Sequence, residues 1–173
     1  LEAYDDEVLR FHVNKGFTTK SWDRAVENLR KFNLRIKTYL MFKPPFMSEK
    51  DALDHGVRWI KDVAGRSDEI SVNPMNIQRG TVIDRLHRHN EYRPPWLWSL
   101  VEMIKQAHPH IYPDGGVNGS PDQVCRLIVH PTAGGKIRGA HNCGSCDKFV
   151  VAAIERYAVS GDLREFDLSL IHI

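Results

Sequence analysis

Asp68-Glu69-Ile70-Ser71-Val72-Asn73-Pro74-Met75-Asn76-Ile77-Gln78-Arg79-Gly80-Thr81 decides the fold. Ile70 and Val72 are β-branched and build a short buried strand. Asn73, Asn76 and Gln78 set amide groups just past its C-terminal end, and Gly80-Thr81 opens the next helix. Ligands bind at that end of the sheet in parallel α/β folds. The layout recurs upstream: Arg35-Ile36-Lys37-Thr38-Tyr39-Leu40-Met41-Phe42 is an apolar strand stopped by Lys43-Pro44-Pro45. Two strand, polar loop and helix units in series predict parallel strands whose loops share one mouth.

Outward from these units the chain alternates helix and strand. Asp5 or Asp6 caps a short helix to about Val13, and Asn14-Lys15-Gly16 stops it, with Gly16 free to turn left-handed. Ser21 to Phe32 is amphipathic, with Trp22, Ala25, Val26, Leu29 and Phe32 on one face. Ser48-Glu49-Lys50-Asp51 resembles a capping box and opens a helix to about Ala64. A helix from Thr81 to about His89 follows the second strand. Tyr92-Arg93-Pro94-Pro95 then punctuates the chain, and Pro95 in a first turn suits a helix to Ala107. Val124 to His130 reads as a third strand between loops rich in Gly and Pro, and Cys146 to about Ser160 as a last helix. The expected fold class is α/β. Residues 1–91 read as the C-terminal portion of a partial TIM-type (β/α) barrel with parallel strands, and residues 92–173 as a small α+β appendage.

Composition narrows the class. Of 173 residues, 42% are hydrophobic and 27% charged, as in ordinary globular proteins, and the net charge is only +2. That balance gives no case for nucleic acid by itself. No apolar run approaches the ~20 residues of a membrane span. Three cysteines are too few for a disulfide scaffold, which fits a reducing cytoplasm. Leu1-Glu2-Ala3 reads as the tail of a strand, so the chain is expected to be a piece of a longer protein. Unpaired strand edges in such a piece favour self-association.

Two local clusters carry chemistry. Cys143-Gly144-Ser145-Cys146 is a C-x2-C at a helix start, with Cys125, His130 and His141 near in sequence. A Cys3His zinc site using Cys143, Cys146, Cys125 and His141 is chemically sensible. A redox dithiol is the next option, and plain packing the third. Cys125, in an apolar strand, suits packing best. Arg79, Arg85, His87, Arg88, His89 and Arg93 cluster beside Tyr92, Trp96 and Trp98. Cations for phosphates and aromatics for base stacking are what RNA binding uses, although a solvated helix face explains the same arginines nearly as well.

Several stretches carry a family resemblance. Leu1-Glu2-Ala3, Asp6-Glu7-Val8-Leu9 and Asn14-Lys15-Gly16-Phe17-Thr18 resemble a segment of radical SAM enzymes related to the elongator catalytic subunit. Tyr39 to Phe46, Val72 to Thr81, Tyr92 to Ser99 and Gly139 to Asp147 resemble the archaeal branch implicated in making archaeosine, a 7-deazaguanine nucleoside of tRNA. The resemblance covers nearly the whole chain. It implies a parent enzyme that uses S-adenosylmethionine and a 4Fe-4S cluster, acts on tRNA, and works beside a partner tRNA-modifying enzyme. Glu2, Lys15, Asn73 and Asn76 are then implied cofactor contacts; Lys43, Gln78 and Arg79 are implied substrate contacts. Glu2 equally suits a solvated carboxylate, Lys15 a helix C-terminal cation, and the asparagines simple turns. The family's C-x3-C-x2-C cluster motif does not occur in this sequence, and Cys125, Cys143 and Cys146 have the wrong spacing to replace it. The chain alone is therefore expected to be inactive.

Two function classes follow. One is a segment of a radical SAM enzyme of tRNA modification. The other is a non-catalytic α/β module, zinc-stabilised or not, that binds RNA or a protein.

Overall fold

β1 (Lys37–Phe42), β2 (Glu69–Pro74) and β3 (Arg126–Val129) lie side by side in that order, all parallel. The computed structural model describes residues 1–167. Register pairs Leu40 with Val72 and Val72 with Val129, so β-branched and leucine side chains meet across the sheet. Outside β1, Glu2 makes one further parallel bridge: its N–H donates to the Tyr39 carbonyl at 2.9 Å and its carbonyl accepts from Met41 N–H at 2.7 Å. Glu2 alone pairs there, as an isolated bridge and not as a strand.

Helices α1 (Thr19–Lys31), α2 (Glu49–Ala64), α3 (Val82–Arg88), α4 (Leu97–Ile111) and α5 (Asp147–Ser160) fill the intervals. Each of the first three starts where a hydroxyl precedes it. Thr18, Ser48 and Thr81 accept from the backbone N–H three residues on, relieving orphan donors of the first turn. α4 has no cap of its own. Its first N–H groups are met from a distance: Trp96 N–H donates to Glu49 Oε1 at 2.8 Å and Trp98 N–H to Asn142 Oδ1 at 3.3 Å. α4 therefore begins two residues after Pro95 and continues to Ile111, four residues beyond the expected Ala107, with Pro109 inside it.

The N-terminal helix is a π-turn, Val8–His12, in which Val13 N–H reaches back five residues to the Val8 carbonyl at 3.1 Å. Asp5 Oδ1 accepts from Glu7 and Val8 N–H, as a cap should. The left-handed residue that ends it is Asn14, φ 56°, and not Gly16. Asparagine tolerates that conformation because its short amide bonds locally.

One core spans the chain. Trp59, Ile60 and Val63 of α2 pack with Leu100, Met103 and Ile104 of α4, and Ile70 and Leu127 join Ile154 and Tyr157 of α5. The division expected near residue 92 does not divide the sheet, because β3 extends it alongside β2. The sheet is open, which supports the α/β class with parallel strands and no closed barrel. α1 is less buried than its apolar stripe predicts. Val26 is buried, but Leu29 and Phe32 lie exposed.

Two expectations follow for stability. A Cβ on Gly56 would lie 3.1 Å from Met103 Sδ and 3.3 Å from Phe42, where α2 and α4 cross closely. Gly56→Leu should lower stability by about 1–3 kcal/mol through overpacking, while Gly56→Ala stays close to neutral; urea denaturation reads both. His108 is buried with Nδ1 3.2 Å from the Tyr157 hydroxyl, and burial holds its pKa below the ordinary value. The unfolded chain then binds the proton more readily. Stability present above pH ~6.5 should fall as pH drops below it, toward the folded pKa. Thermal melts between pH 7.5 and 5 should show this, with a smaller slope in His108→Gln.

Candidate functional site

Three successive segments that follow strands at their C-terminal ends wall one groove of 440 Å³. Phe11 to Asn14 comes after the Glu2 bridge, Pro45-Phe46 after β1, and Met75, Asn76 and Gln78 after β2. Thr81 to Ile83, at the start of α3, closes the side. Phe11, Phe46 and Val82 are each more than 60% exposed, an apolar lining that nothing within the described residues covers. The amides of Asn14, Asn76 and Gln78 and the His12 imidazole supply polarity. His12 Nδ1 is buried without a hydrogen-bond partner among the described residues. Apolar walls with a few convergent polar groups suit an aromatic base or nucleoside.

Backbone strain concentrates here. Glu2, Asn14, Lys43 and Phe46 all have positive φ, of 83°, 56°, 57° and 63°. Asn14 tolerates this; for Glu2, Lys43 and Phe46 such angles cost of order 1–3 kcal/mol each and persist only when the surroundings hold them. At Phe46 the turn delivers an aromatic ring to the groove. At Lys43 it sends the side chain inward.

Lys43, expected as a substrate contact, is turned inward onto protein partners. Its ammonium is buried, donating to Glu49 Oε2 at 2.7 Å and to the Arg93 carbonyl at 2.9 Å. The Tyr92 hydroxyl donates to the Lys43 carbonyl at 2.8 Å, and burial pushes that phenol far above its ordinary pKa. Arg93 is likewise spoken for: its guanidinium donates to the His141 carbonyl at 2.9 Å and stacks 3.3 Å from the Trp96 ring centroid. Tyr92 and Arg93 therefore support the loops around the groove. The physical reason is the same for all three residues: the loops after β1 and β3 and the proline-rich turn need partners for their backbone carbonyls once they pack together.

A second support is Asp84. It is buried, and its carboxylate accepts from Gly80 N–H at 3.0 Å, from Arg138 at 2.7 Å and from Arg88. Those donors, the Gly80 amide foremost, hold its carboxyl far below the usual range. Arg138 also brackets Ile77, whose N–H donates to the Arg138 carbonyl at 2.8 Å and whose carbonyl accepts from Arg138 Nε at 3.1 Å. The loop after β3 thereby braces the loop after β2.

The remaining sequence candidates fall as follows. Asn76 and Gln78 line the groove; Asn73 lies within β2 opposite Met41, half-buried; Arg79 is exposed nearby. Lys15 Nζ pairs with Glu2 Oε1 at 3.2 Å, both partly exposed. Arg85, Arg88 and His89 share a surface cleft with Gly80 and Thr81. Cys125 cannot join Cys143 and Cys146 on a metal. It sits just before β3, where burial pushes its thiol up to about 12, whereas the C-x2-C follows the other end of that strand. Among the described residues no three His, Cys, Asp or Glu are grouped to hold a metal ion. His141 turns Nδ1 to the Gly139 carbonyl at 2.8 Å. Cys143 is exposed, and hydrogen bonds from the Ser145 and Cys146 amides hold its thiol below the ordinary value.

The sequence reading missed Phe11, His12, Phe46, Met75 and Val82. Phe46 had one usable signal: it is a large apolar residue directly after the strand-ending Lys43-Pro44-Pro45, where polar residues are the norm.

The Lys43–Glu49 pair yields a measurable expectation. Lys43→Met or Glu49→Gln alone should cost roughly 2–3 kcal/mol, at the low side of breaking a buried pair because the Glu49 side chain is 25% exposed. The double variant should lose less than the sum of the two, since neither charge is then stranded. Chemical denaturation followed by tryptophan fluorescence gives the cycle.

No family model matches the chain. It is 36% identical over 163 residues to archaeosine synthase subunit beta of Methanosarcina acetivorans, covering 92% of this chain and 43% of that protein. It is 35% identical over 164 residues to archaeosine synthase subunit beta of Thermococcus kodakarensis, covering 94% of this chain and 47% of that protein. The chain thus spans somewhat under half the length of these relatives. Among solved structures, the Elp3 of Methanocaldococcus infernus with an N-terminal deletion superposes with a TM-score of 0.63 at 14% identity, over 90% of this chain and 34% of that one, a likeness of fold. By sequence the chain is similar to somewhat under half of archaeosine synthase subunit beta, and by fold to an archaeal Elp3.

Proposed function

We propose that this chain is part of a radical SAM enzyme of archaeosine-type tRNA maturation, and that its groove forms part of the mouth where cofactor and base meet. The observation that carries the reading is the convergence of three post-strand segments on one apolar cleft edged by Asn14, Asn76 and Gln78. The archaeosine synthase subunit names of the relatives point the same way.

S-adenosylmethionine, when bound, supplies radical hydrogen abstraction; positioning and shielding are the protein's part. The residues present fit such a group. Asn76 and Gln78 offer paired donors and acceptors to a purine edge or ribose. Phe11 and Phe46 offer ring faces and exclude water. Glu2 and Lys15, already paired with each other, offer one anion and one cation to the cofactor's amino and carboxylate groups. Asn73 lies at the end of β2, opposite Met41. Cys125, Cys143 and Cys146 do not fit an iron–sulfur cluster, since no three such ligands are grouped among the described residues.

The tRNA reading draws on the face bearing Arg79, Arg85, Arg88 and His89, which leaves the groove at its α3 side. The subunit name of the relatives implies an assembly, and a second tRNA-modifying subunit is the partner proposed. The same basic face also suits a module that binds RNA without catalysis. No helix among the described residues is long and apolar enough to cross a membrane.

One experiment separates the two readings, in the full-length protein that carries this segment. Asn76→Ala with Gln78→Ala should lower 5′-deoxyadenosine formation about tenfold or more, the loss of one or two buried hydrogen bonds, with tRNA affinity kept. Arg85→Ala with Arg88→Ala should weaken tRNA binding and flatten its salt dependence by about one to two phosphate contacts. Unchanged 5′-deoxyadenosine formation in the first variant, with binding lost in the second, would leave only the RNA-binding module.

A further inference from the structure

Trp96 stands at the same end of the sheet as the groove but is not among its walls. Its side chain is 40% exposed, although the backbone around it is tightly held. Pro94 and Pro95 restrict the chain just before it. Its N–H donates to Glu49 Oε1 at 2.8 Å, and Glu49 Oε2 accepts from Lys43, the residue that follows β1. The Arg93 guanidinium lies over the indole, with Cζ 3.3 Å from the ring centroid. That guanidinium is itself anchored, donating to the Pro94 carbonyl at 2.8 Å and to the His141 carbonyl at 2.9 Å.

Two features set this ring apart from an ordinary exposed tryptophan. The first is order. One face of the indole is covered by a fixed planar cation, so the exposed area belongs to the other face and the edge. A ring already pinned loses little freedom when something stacks on it. The second is charge. Both bonds of Arg93 go to neutral carbonyls, and it forms no ion pair among the described residues. Glu49, close by, is committed to Lys43 at 2.7 Å. An open aromatic face beside an uncompensated cation matches a nucleotide: the base stacks on the ring and a phosphate answers the charge. An apolar peptide would cover the ring and leave the guanidinium without its anion.

We propose that Trp96, backed by Arg93, is a stacking platform for an unpaired nucleobase of RNA, beside the groove and separate from it. The inference rests on the tRNA reading of this segment and adds a place where a base outside the groove is held. Trp96 touches the base, and Arg93 fixes the ring and meets the adjoining phosphate. Stacking tolerates any base, so the platform sets the path of the strand and does not read its sequence.

The test uses the full-length protein that carries this segment and a dye-labelled RNA hexamer of 5-iodouridine. Anisotropy reads affinity across a salt series. Long-wavelength ultraviolet light then joins the base to whatever ring it stacks on, and peptide mass mapping names the residue. The native protein should cross-link at Trp96. Trp96→Ala should bind about tenfold more weakly, the loss of one stacked base, and lose that cross-link. Trp96→Phe should restore most of the affinity. Arg93→Met should flatten the salt dependence by about one phosphate contact, which a purely structural role would not do. Circular dichroism checks that each variant folds. Trp96→Ala binding as tightly as the native protein would overturn the platform and leave the tRNA reading standing, as would cross-links that map only elsewhere. A native protein that does not bind the hexamer at low salt would overturn both.

Discussion

A single ion pair, Lys43 with Glu49, ties the site to the sheet. β1 ends at Phe42, and the next residue adopts a left-handed turn that drives its ammonium inward. There it meets the first residue of α2 and the Arg93 carbonyl of the proline-rich turn. The other oxygen of Glu49 serves as a remote cap for α4. One carboxylate thus joins a strand end, two helix starts and a turn. Burying charge is expensive, and it is tolerated here because each charged group meets an opposite charge or a backbone partner. The gain is geometric: with Lys43 withdrawn, Pro45 and Phe46 are left as the face of the β1 loop that lines the groove.

Asp84 performs the same service one strand over, with a different balance. Its partners are the Gly80 amide and two arginines, so three donors meet one carboxylate. The loop after β3 is thereby latched to the loop after β2, and α3, only 7 residues long, is fixed through its own carboxylate. A helix that short has little stability of its own. Its arginines hold their positions on the surface because Asp84 holds the helix.

The parallel order was legible because it rests on local signals. Ile70 and Val72 alternate with small polar residues, the hydroxyl caps at Ser48 and Thr81 stand where periodicity begins, and Gly80 precedes a start. What remained illegible depends on contacts far apart in sequence. The α4 start at Leu97 is set by Glu49 and Asn142, some fifty residues away on either side, and no local rule reads them. Lys43 and Arg93 looked like ligand groups because a cation in a loop usually faces water; the carbonyls they satisfy become buried only after the fold is made. Cys125 looked like a fourth ligand because sequence proximity says nothing about which end of a strand a residue occupies. The amides of Asn76 and Gln78 were found because strand polarity alone places them. Phe11 was missed because an exposed phenylalanine within a helical turn has no local signature.

The π-turn at Val8–His12 has a consequence for how this chain tolerates length change. A five-residue hydrogen-bonded ring holds one residue more than an α-helical turn. Removing one residue there would restore the ordinary helical repeat and rotate everything after the deletion by ~100° about the helix axis. Phe11 and His12 would then leave the groove wall, while the strand pairing of Glu2 and the cap at Asp5 upstream stayed as they are. One wall of the groove is thus set by a single inserted residue, and homologous chains that differ by one position between Asp5 and Asn14 will present a different surface to whatever enters.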